Sequence, residues 1–301
     1  MGTDDRITVV ILAAGLGTRL RPLTDNRPKA LVEISGRTLL EITLSRLRSF
    51  GIREVIINVH HFADMILDYL KAQKNFGMRI EVSREDVLLD TGGGLKKAAW
   101  FFLEDSTRLD EPFILHNVDV ISTIDLPRMV QFHRENDALA TLAVQDRETS
   151  RYLLFNDHLR LCGRRAGPDG APELARSSAP PASSHVIPSE ARFLRSERIY
   201  GAREPLLHRE GTALAVPKNV ENSGALAPEV PLQSLAFSGI HVISPRLVPM
   251  ITEEGVFSII TSYLRLAAQG QKILAFRADE YYWRDLGRPA DLAQAVQDMP
   301  L

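Results

Sequence analysis

Ile7-Thr8-Val9-Val10-Ile11-Leu12-Ala13-Ala14-Gly15-Leu16-Gly17-Thr18-Arg19-Leu20-Arg21-Pro22-Leu23-Thr24 is the stretch on which the fold turns. The apolar run from Ile7 to Ala14 has strand length and no polar alternation, the pattern of a strand covered on both faces within a parallel sheet. Small residues and two glycines follow at once. A strand-to-loop junction in an open α/β sheet is where ligands collect, and glycines let backbone N–H groups approach an anion closely. Ala13, Ala14, Gly15, Gly17 and Thr18 are therefore expected to cradle phosphates. Arg19 directly behind them, and Lys29 within Arg27-Pro28-Lys29-Ala30, are two cations able to hold a triphosphate. The loop lacks the Gly-Lys-Ser/Thr ending of a P-loop, and Leu20 stands at the third glycine position of the dinucleotide fingerprint.

Outward from that strand, apolar runs alternate with helical periodicity, which argues for βαβ units. Leu40, Leu44 and Leu47 mark a helix stopped by Gly51; Glu54 to Val59 is a second strand; Phe62, Ile66, Tyr69 and Leu70 line the next helix. Met78 to Ser83 reads as a strand, Leu95 to Leu103 as a helix opening directly after three glycines, and Pro112 to Val118 as a strand ending in Asp119. A helix around 126–136 and a strand from Ala138 to Val144 follow. Between about 164 and 231 periodicity is lost and nine of the seventeen prolines accumulate, so this segment is read as an irregular or disordered insertion. Its nine basic and eight acidic residues nearly cancel, which argues against a polyanion-binding arm. Strands at Leu235 to Ile243, Lys272 to Phe276 and Tyr281 to Asp285, with helices near 260–267 and 292–299, complete the chain. The expected organisation is one catalytic domain from residues 1–163 and 232–301, interrupted by the insertion.

Composition excludes several classes of function. A net charge of −2 gives no case for nucleic-acid binding, and no apolar run approaches the roughly 20 residues of a membrane span. A polar N-terminus without a signal-peptide pattern and a single cysteine, Cys162, fit a soluble cytoplasmic protein and exclude thiolate metal clusters. The sequence does not indicate an oligomeric state.

Two further constellations carry chemistry. In Leu89-Asp90-Thr91-Gly92-Gly93-Gly94, the glycines allow a flat ligand to lie on bare backbone, so Asp90, Gly92 and Gly93 are candidates for reading a nucleotide base; a flexible loop before a helix is the plain alternative. Asp119, in His116-Asn117-Val118-Asp119, and Asp285, in Trp283-Arg284-Asp285-Leu286-Gly287-Arg288, each end a predicted strand. Hard oxygen ligands from two separate strands suit Mg²⁺, although a strand-end Asp also serves as a turn former or cap. Asn117 and Gly239 are candidate sugar contacts, Gly239 also reading as a strand bulge. His116 is not taken as a base, since a sugar phosphate is already ionised at neutral pH.

The stretch Gly15 to Ala30 resembles the signature of sugar 1-phosphate nucleotidyltransferases, and residues 7–160 and 235–298 share the family's pattern. The resemblance implies a Rossmann-like α/β fold, a mixed and mainly parallel sheet flanked by helices, of the nucleotide-diphospho-sugar transferase type. It implies that Arg19, Lys29 and Asp119 are catalytic, that Asp119 and Asp285 hold Mg²⁺ with Asp285 also facing the sugar, and that a nucleoside triphosphate and a sugar 1-phosphate yield a nucleotide sugar and pyrophosphate. The triple-glycine segment is similar to that of the N-acetylmuramate 1-phosphate uridylyltransferase branch, with Asp90 where Glu is usual; mannose 1-phosphate guanylyltransferase is the alternative, and a nucleotide-sugar sensor without turnover the non-enzymatic one. Val118 and Arg288 depart from the family's glycine and threonine, which predicts a narrower or differently charged sugar pocket.

Overall fold

The structure, a computed structural model, describes residues 7–103, 110–175 and 231–298. They fall in one unit made of residues 1–178 and 230–301. In chain order the strands are β1 (Thr8–Leu12), β2 (Glu33–Ile34), β3 (Arg37–Thr38), β4 (Glu54–Val59), β5 (Arg79–Arg84), β6 (Phe113–Asn117), β7 (Val120–Ser122), β8 (Ala140–Gln145), β9 (Arg151–Phe155), β10 (Leu161–Ala166), β11 (Glu173–Leu174), β12 (Gln233–Ile243), β13 (Ile273–Arg277) and β14 (Trp283–Asp285). The helices are α1 (Leu39–Ser49), α2 (Ala63–Ala72), α3 (Asp90–Ala98), α4 (Trp100–Leu103), α5 (Leu126–Glu135), α6 (Ile259–Ala268) and α7 (Pro289–Asp298).

The central sheet runs β11-β10-β9-β12-β6-β1-β4-β5, with β8 against β12 and β13 against β8. Strands β6, β1, β4 and β5 are mutually parallel, as is β13 with β8. β12 enters antiparallel to β6, β8 and β9, and β9, β10 and β11 form an antiparallel meander. The apolar run of β1, residues 9–12, is explained by burial on both sides. Val9 and Ile11, with Val55, Ile57 and Ile114, pack under α1, α2 and α5; Val10, Ile56 and Leu115 face the other way, toward α3 and α6. All of these are fully buried, and burying each such side chain contributes roughly 1.5–3 kcal/mol. A third cluster joins Leu20, Val32 and Ile34 to Leu286, Leu292 and Ala295. With the β14–β7 pair it fastens the C-terminal segment beside the loop after β1.

Two expectations are corrected. The triple glycine does not precede a helix but lies inside one, α3, which starts at Asp90. And residues 164–175, read as the start of the irregular insertion, are ordered in β10 and β11, where Arg164 registers with Glu173. The remainder of the expected insertion, 176–230, lies outside the described residues. Among the described residues no helix is long and apolar enough to cross a membrane.

α3 tolerates three glycines because its packing leaves no room for side chains. A Cβ on Gly92 would lie 2.2 Å from the Phe257 ring, one on Gly93 2.5 Å from the Gly255 carbonyl oxygen, and one on Gly94 2.8 Å from Glu85 Oε1. Tertiary contact thus overrides the helix penalty of glycine, about 1 kcal/mol per residue. Gly92→Ala is expected to destabilise the protein by about 1–3 kcal/mol through overpacking. Gly15→Ala, where a Cβ meets nothing within 4 Å, should leave the melting temperature unchanged. Parallel thermal melts check the pair, and equal effects would refute the packing account.

Candidate active site

The carboxyl ends of β1 and β6 lie side by side, Leu12 in register with Asn117. The chain leaves β1 into the glycine loop and leaves β6 into Asp119, so both features meet at one edge of the sheet. Asp285 joins them because β14 pairs with β7, Asp285 opposite Val120, and the Leu286 N–H donates to the Asp119 carbonyl at 2.8 Å. Lys29 is ion-paired with Asp119, its side chain buried and that of Asp119 19% exposed. Arg19 and Asp285 meet over Gly287, where a Cβ would stand 2.5 Å from Arg19 Nη2 and 2.5 Å from Asp285 Oδ1. Two cations and two carboxylates therefore converge.

Their electrostatics are tense. Burial, and then the charge of Asp119, raise the Asp285 pKa above the usual carboxylate range; Lys29, the Gly287 N–H and Arg19 pull it back only in part. A carboxylate whose proton affinity is raised by a neighbouring one suits a divalent cation, which would cancel the repulsion. Among the described residues no third His, Cys, Asp or Glu completes a cage. A pair of oxygen donors with free positions fits a hard cation that keeps waters or substrate phosphates as its other ligands.

In the glycine loop, Gly17 adopts φ +64°, its carbonyl accepting from Thr24 Oγ1 at 2.9 Å and from the Leu20 N–H at 2.8 Å. These bonds fold the loop back so that Gly15, Leu16, Thr18 and Arg19 are solvent-facing, while Ala13 and Ala14 are buried beneath it. The Ala13 N–H is engaged by the Asn58 carbonyl at 3.0 Å and is not free for an anion.

On the other side of Asp119, β12 is bulged between Phe237 and His241, with Gly239 at φ +74°. A Cβ there would fall 2.9 Å from Asn117 Nδ2 and 2.9 Å from Val120. The bulge brings Asn117 and Gly239 together, as the two candidate sugar contacts require. Val118 is a core residue, 4% exposed, in the cluster that also holds Val120 and Ile240. Arg288 is exposed.

At the proposed base-reading segment, Asp90 has φ +60° and its carboxylate accepts from the next N–H, that of Thr91, at 2.6 Å. Gly92, Gly93 and Gly94 are buried, and the Gly92 N–H donates to the Phe257 carbonyl at 2.9 Å. The bare, unoccupied glycine backbone expected from sequence is therefore corrected: its open side is filled by residues 255–259. What supports this corner was missed. Glu85, 3% exposed, accepts from the Asn58 side chain at 2.5 Å and from the Leu89 N–H at 3.0 Å, joining the loop after β5 to β4.

His116 is buried, bonded through Nδ1 to the Asn117 carbonyl at 2.7 Å, and burial lowers its pKa to about 4. It has no path to a substrate proton. His60 bonds the Glu85 carbonyl at 2.9 Å, and Cys162 is a half-buried thiol whose pKa burial raises. Gly287, Trp283 and Arg147 border the site but were not singled out from sequence. For Gly287 the signal was present in Asp285-Leu286-Gly287.

Residues 8–153 match the family model described as "Nucleotidyl transferase". Over 115 residues the chain is 44% identical to the N-acetylmuramate alpha-1-phosphate uridylyltransferase of Caulobacter vibrioides, 37% of this chain and 45% of the relative. It is 34% identical over 145 residues to a mannose-1-phosphate guanyltransferase of Yarrowia lipolytica, 48% of this chain and 39% of the relative. The match thus spans less than half the length of these relatives. Among solved structures, HddC from Yersinia pseudotuberculosis complexed with GMP-PN superimposes with a TM-score of 0.61 at 20% identity, covering 97% of this chain and 99% of that one, a likeness of fold. Over residues 8–153 the chain is therefore similar to the nucleotidyl transferase family.

Proposed function

We propose that this chain transfers a nucleoside monophosphate from a nucleoside triphosphate to a sugar 1-phosphate, releasing pyrophosphate. The observation that carries the proposal is the meeting of Arg19, Lys29, Asp119 and Asp285 at the carboxyl edge of the parallel strands. The glycine loop and Arg19 grip the triphosphate, and Lys29 leaves Asp119 to face it. A sugar phosphate oxygen then attacks the α-phosphorus in line while Arg19 and Lys29 offset the added charge, a contribution of about 2.7–4 kcal/mol per well-placed donor. Asp119 and Asp285 would hold Mg²⁺, whose chemistry here is to neutralise phosphate charge. Asn117 and the Gly239 bulge orient the sugar. No side chain need take a proton or form a covalent bond.

N-acetylmuramate 1-phosphate with UTP is the substrate pair favoured by the triple-glycine segment and by the 44% identity to a uridylyltransferase of that sugar. Mannose 1-phosphate with GTP is the second choice. Cytoplasmic location and a role in cell-wall precursor supply go with the first. Pyrophosphate release measured with UTP, GTP, dTTP and CTP against both sugar phosphates, with MgCl₂, is expected to single out one triphosphate. Tight binding of a nucleotide sugar with no pyrophosphate from any pair would replace the enzyme with a sensor.

A further inference from the structure

Arg164, Arg265 and Arg284 each pair with a carboxylate, respectively Glu173, Glu253 and Asp298. Arg147 and Arg165 pair with none among the described residues, and the Nε of each is buried without a hydrogen-bond partner. Arg147, in the turn between β8 and β9, lies with Cζ 3.7 Å from the centroid of the Trp283 ring and donates from Nη2 to the Phe237 carbonyl at 2.9 Å. Trp283 in turn donates to the Ser238 carbonyl at 2.7 Å, so the two anchors of Arg147 border Gly239 on one side and Asp285 on the other. Arg165 on β10 registers with Tyr152 and lies 5.2 Å over its ring, and Tyr152 registers with Ala236, next to Phe237.

A guanidinium held close over an indole, with one N–H spent on a carbonyl, is fixed in place and keeps donors for a planar anion. Such a half-buried cation has only the unpaired, shared charge of Asp285 near it, and a ligand that brings a further carboxylate recovers part of its desolvation cost on binding. To attack, the anomeric phosphate must lie at the α-phosphorus, beside the Arg19 and Lys29 that face the triphosphate. Arg147 stands instead among the residues around Asn117 and Gly239, where ring substituents fall. We propose that Arg147, backed by Arg165, reads a carboxylate carried on the sugar ring, making the chain selective for an acidic sugar 1-phosphate. The assignment rests on the nucleotidyl transfer proposed above and names a specificity-determining residue for it.

The test compares kcat/KM for two sugar 1-phosphates that differ only in the acidic substituent, N-acetylmuramate 1-phosphate and N-acetylglucosamine 1-phosphate. The unmodified chain is expected to favour the acidic one by on the order of a hundredfold, and Arg147→Met to cut that ratio at least tenfold. Arg147→Lys should keep part of it, and the Arg147→Met, Arg165→Met pair should lose more. Because Arg147 acts on Asp285 whatever the sugar, damage to the catalytic centre or a grip on the 1-phosphate lowers both substrates alike and leaves the ratio fixed. A fixed ratio, or no preference in the unmodified chain, overturns the proposal. Calorimetric binding of the same two compounds separates it from the reaction: Arg147-dependent discrimination without any pyrophosphate would sink the transfer and keep the pocket, while equal binding in all variants would sink the pocket.

Discussion

Asp285→Asn is expected to lower kcat by on the order of a thousandfold or more while leaving the folded protein as stable as before, or slightly more so. The two effects have one cause. Burial and the neighbouring charge of Asp119 disfavour the ionised Asp285 in the native state, so its carboxyl titrates above the usual range. Sign follows directly: for an acid whose native pKa is raised, the ionised form at neutral pH is a cost to folding, and the neutral amide removes that cost. Asp119→Asn should be equally inactive but less stable, because Lys29, buried and paired with Asp119, loses its nearest carboxylate. The penalty is put at about 1–3 kcal/mol, below the roughly 3–5 of a fully buried pair because this one is partly open to solvent. Pyrophosphate release and thermal melts with and without MgCl₂ read both variants. Activity within tenfold of the unmodified chain in both would remove the carboxylates from the reaction. Melting shifts of equal size and sign would contradict the pairing of Lys29 with Asp119 rather than Asp285.

Much of this centre is legible in the sequence because its parts are local. A strand followed by Gly15-Leu16-Gly17-Thr18-Arg19 announces both the sheet edge and the anion loop, and the spacing of Leu40, Leu44 and Leu47 matches the face of α1 that is buried. What escapes a linear reading is set by distant partners. Three consecutive glycines argue against a helix on propensity, yet α3 runs through them because Phe257 and Gly255 press on its surface from more than a hundred and fifty residues away. The pairing of Lys29 with Asp119 crosses ninety positions. Arg147 acquires its meaning only from Trp283 and Phe237, neither of which its own segment can indicate. The strands at β2, β3, β7 and β11 are two or three residues long, too short for a period to register. Residues 164–175 were assigned to the insertion on proline content, but a meander needs only Leu153, Phe155 and Leu161 to bury one face, and the prolines Pro168 and Pro172 fall in its turn.

Acid should unfold this protein well above the carboxylate range, and three histidines that no reaction uses are the reason. His116 and His241 are each 1% exposed and His133 is 2% exposed. Each is held by bonds a neutral ring can make: His116 Nδ1 to the Asn117 carbonyl at 2.7 Å, with Nε2 buried and unpartnered, His241 to the Tyr263 hydroxyl at 3.0 Å, and His133 to Thr141 at 2.9 Å and Ser244 at 3.0 Å. Burial, seconded by Arg46 for His116, by His116 for His241 and by Arg246 and Arg134 for His133, lowers their pKa values to about 4, about 3 and about 4. In the unfolded chain these rings protonate near pH 6.5. Between that value and about 4 the unfolded state therefore binds more protons than the native one, and stability present above pH 6.5 drains away as the pH falls. With all three contributing, the slope around pH 5 approaches about 4 kcal/mol per pH unit, so that a single unit consumes much of the roughly 5–15 kcal/mol that holds a domain together. Carboxylates with depressed pKa values, such as Glu253 at about 2, act below the usual Glu range and outside this window. His133→Gln, which can still bond Thr141 and Ser244, should reduce the slope of unfolding free energy against pH between 5 and 6.5 by about one third, measured by urea titration at half-unit steps. A slope in the unmodified chain no greater than that of a single proton would mean that these rings are open to solvent in the native state.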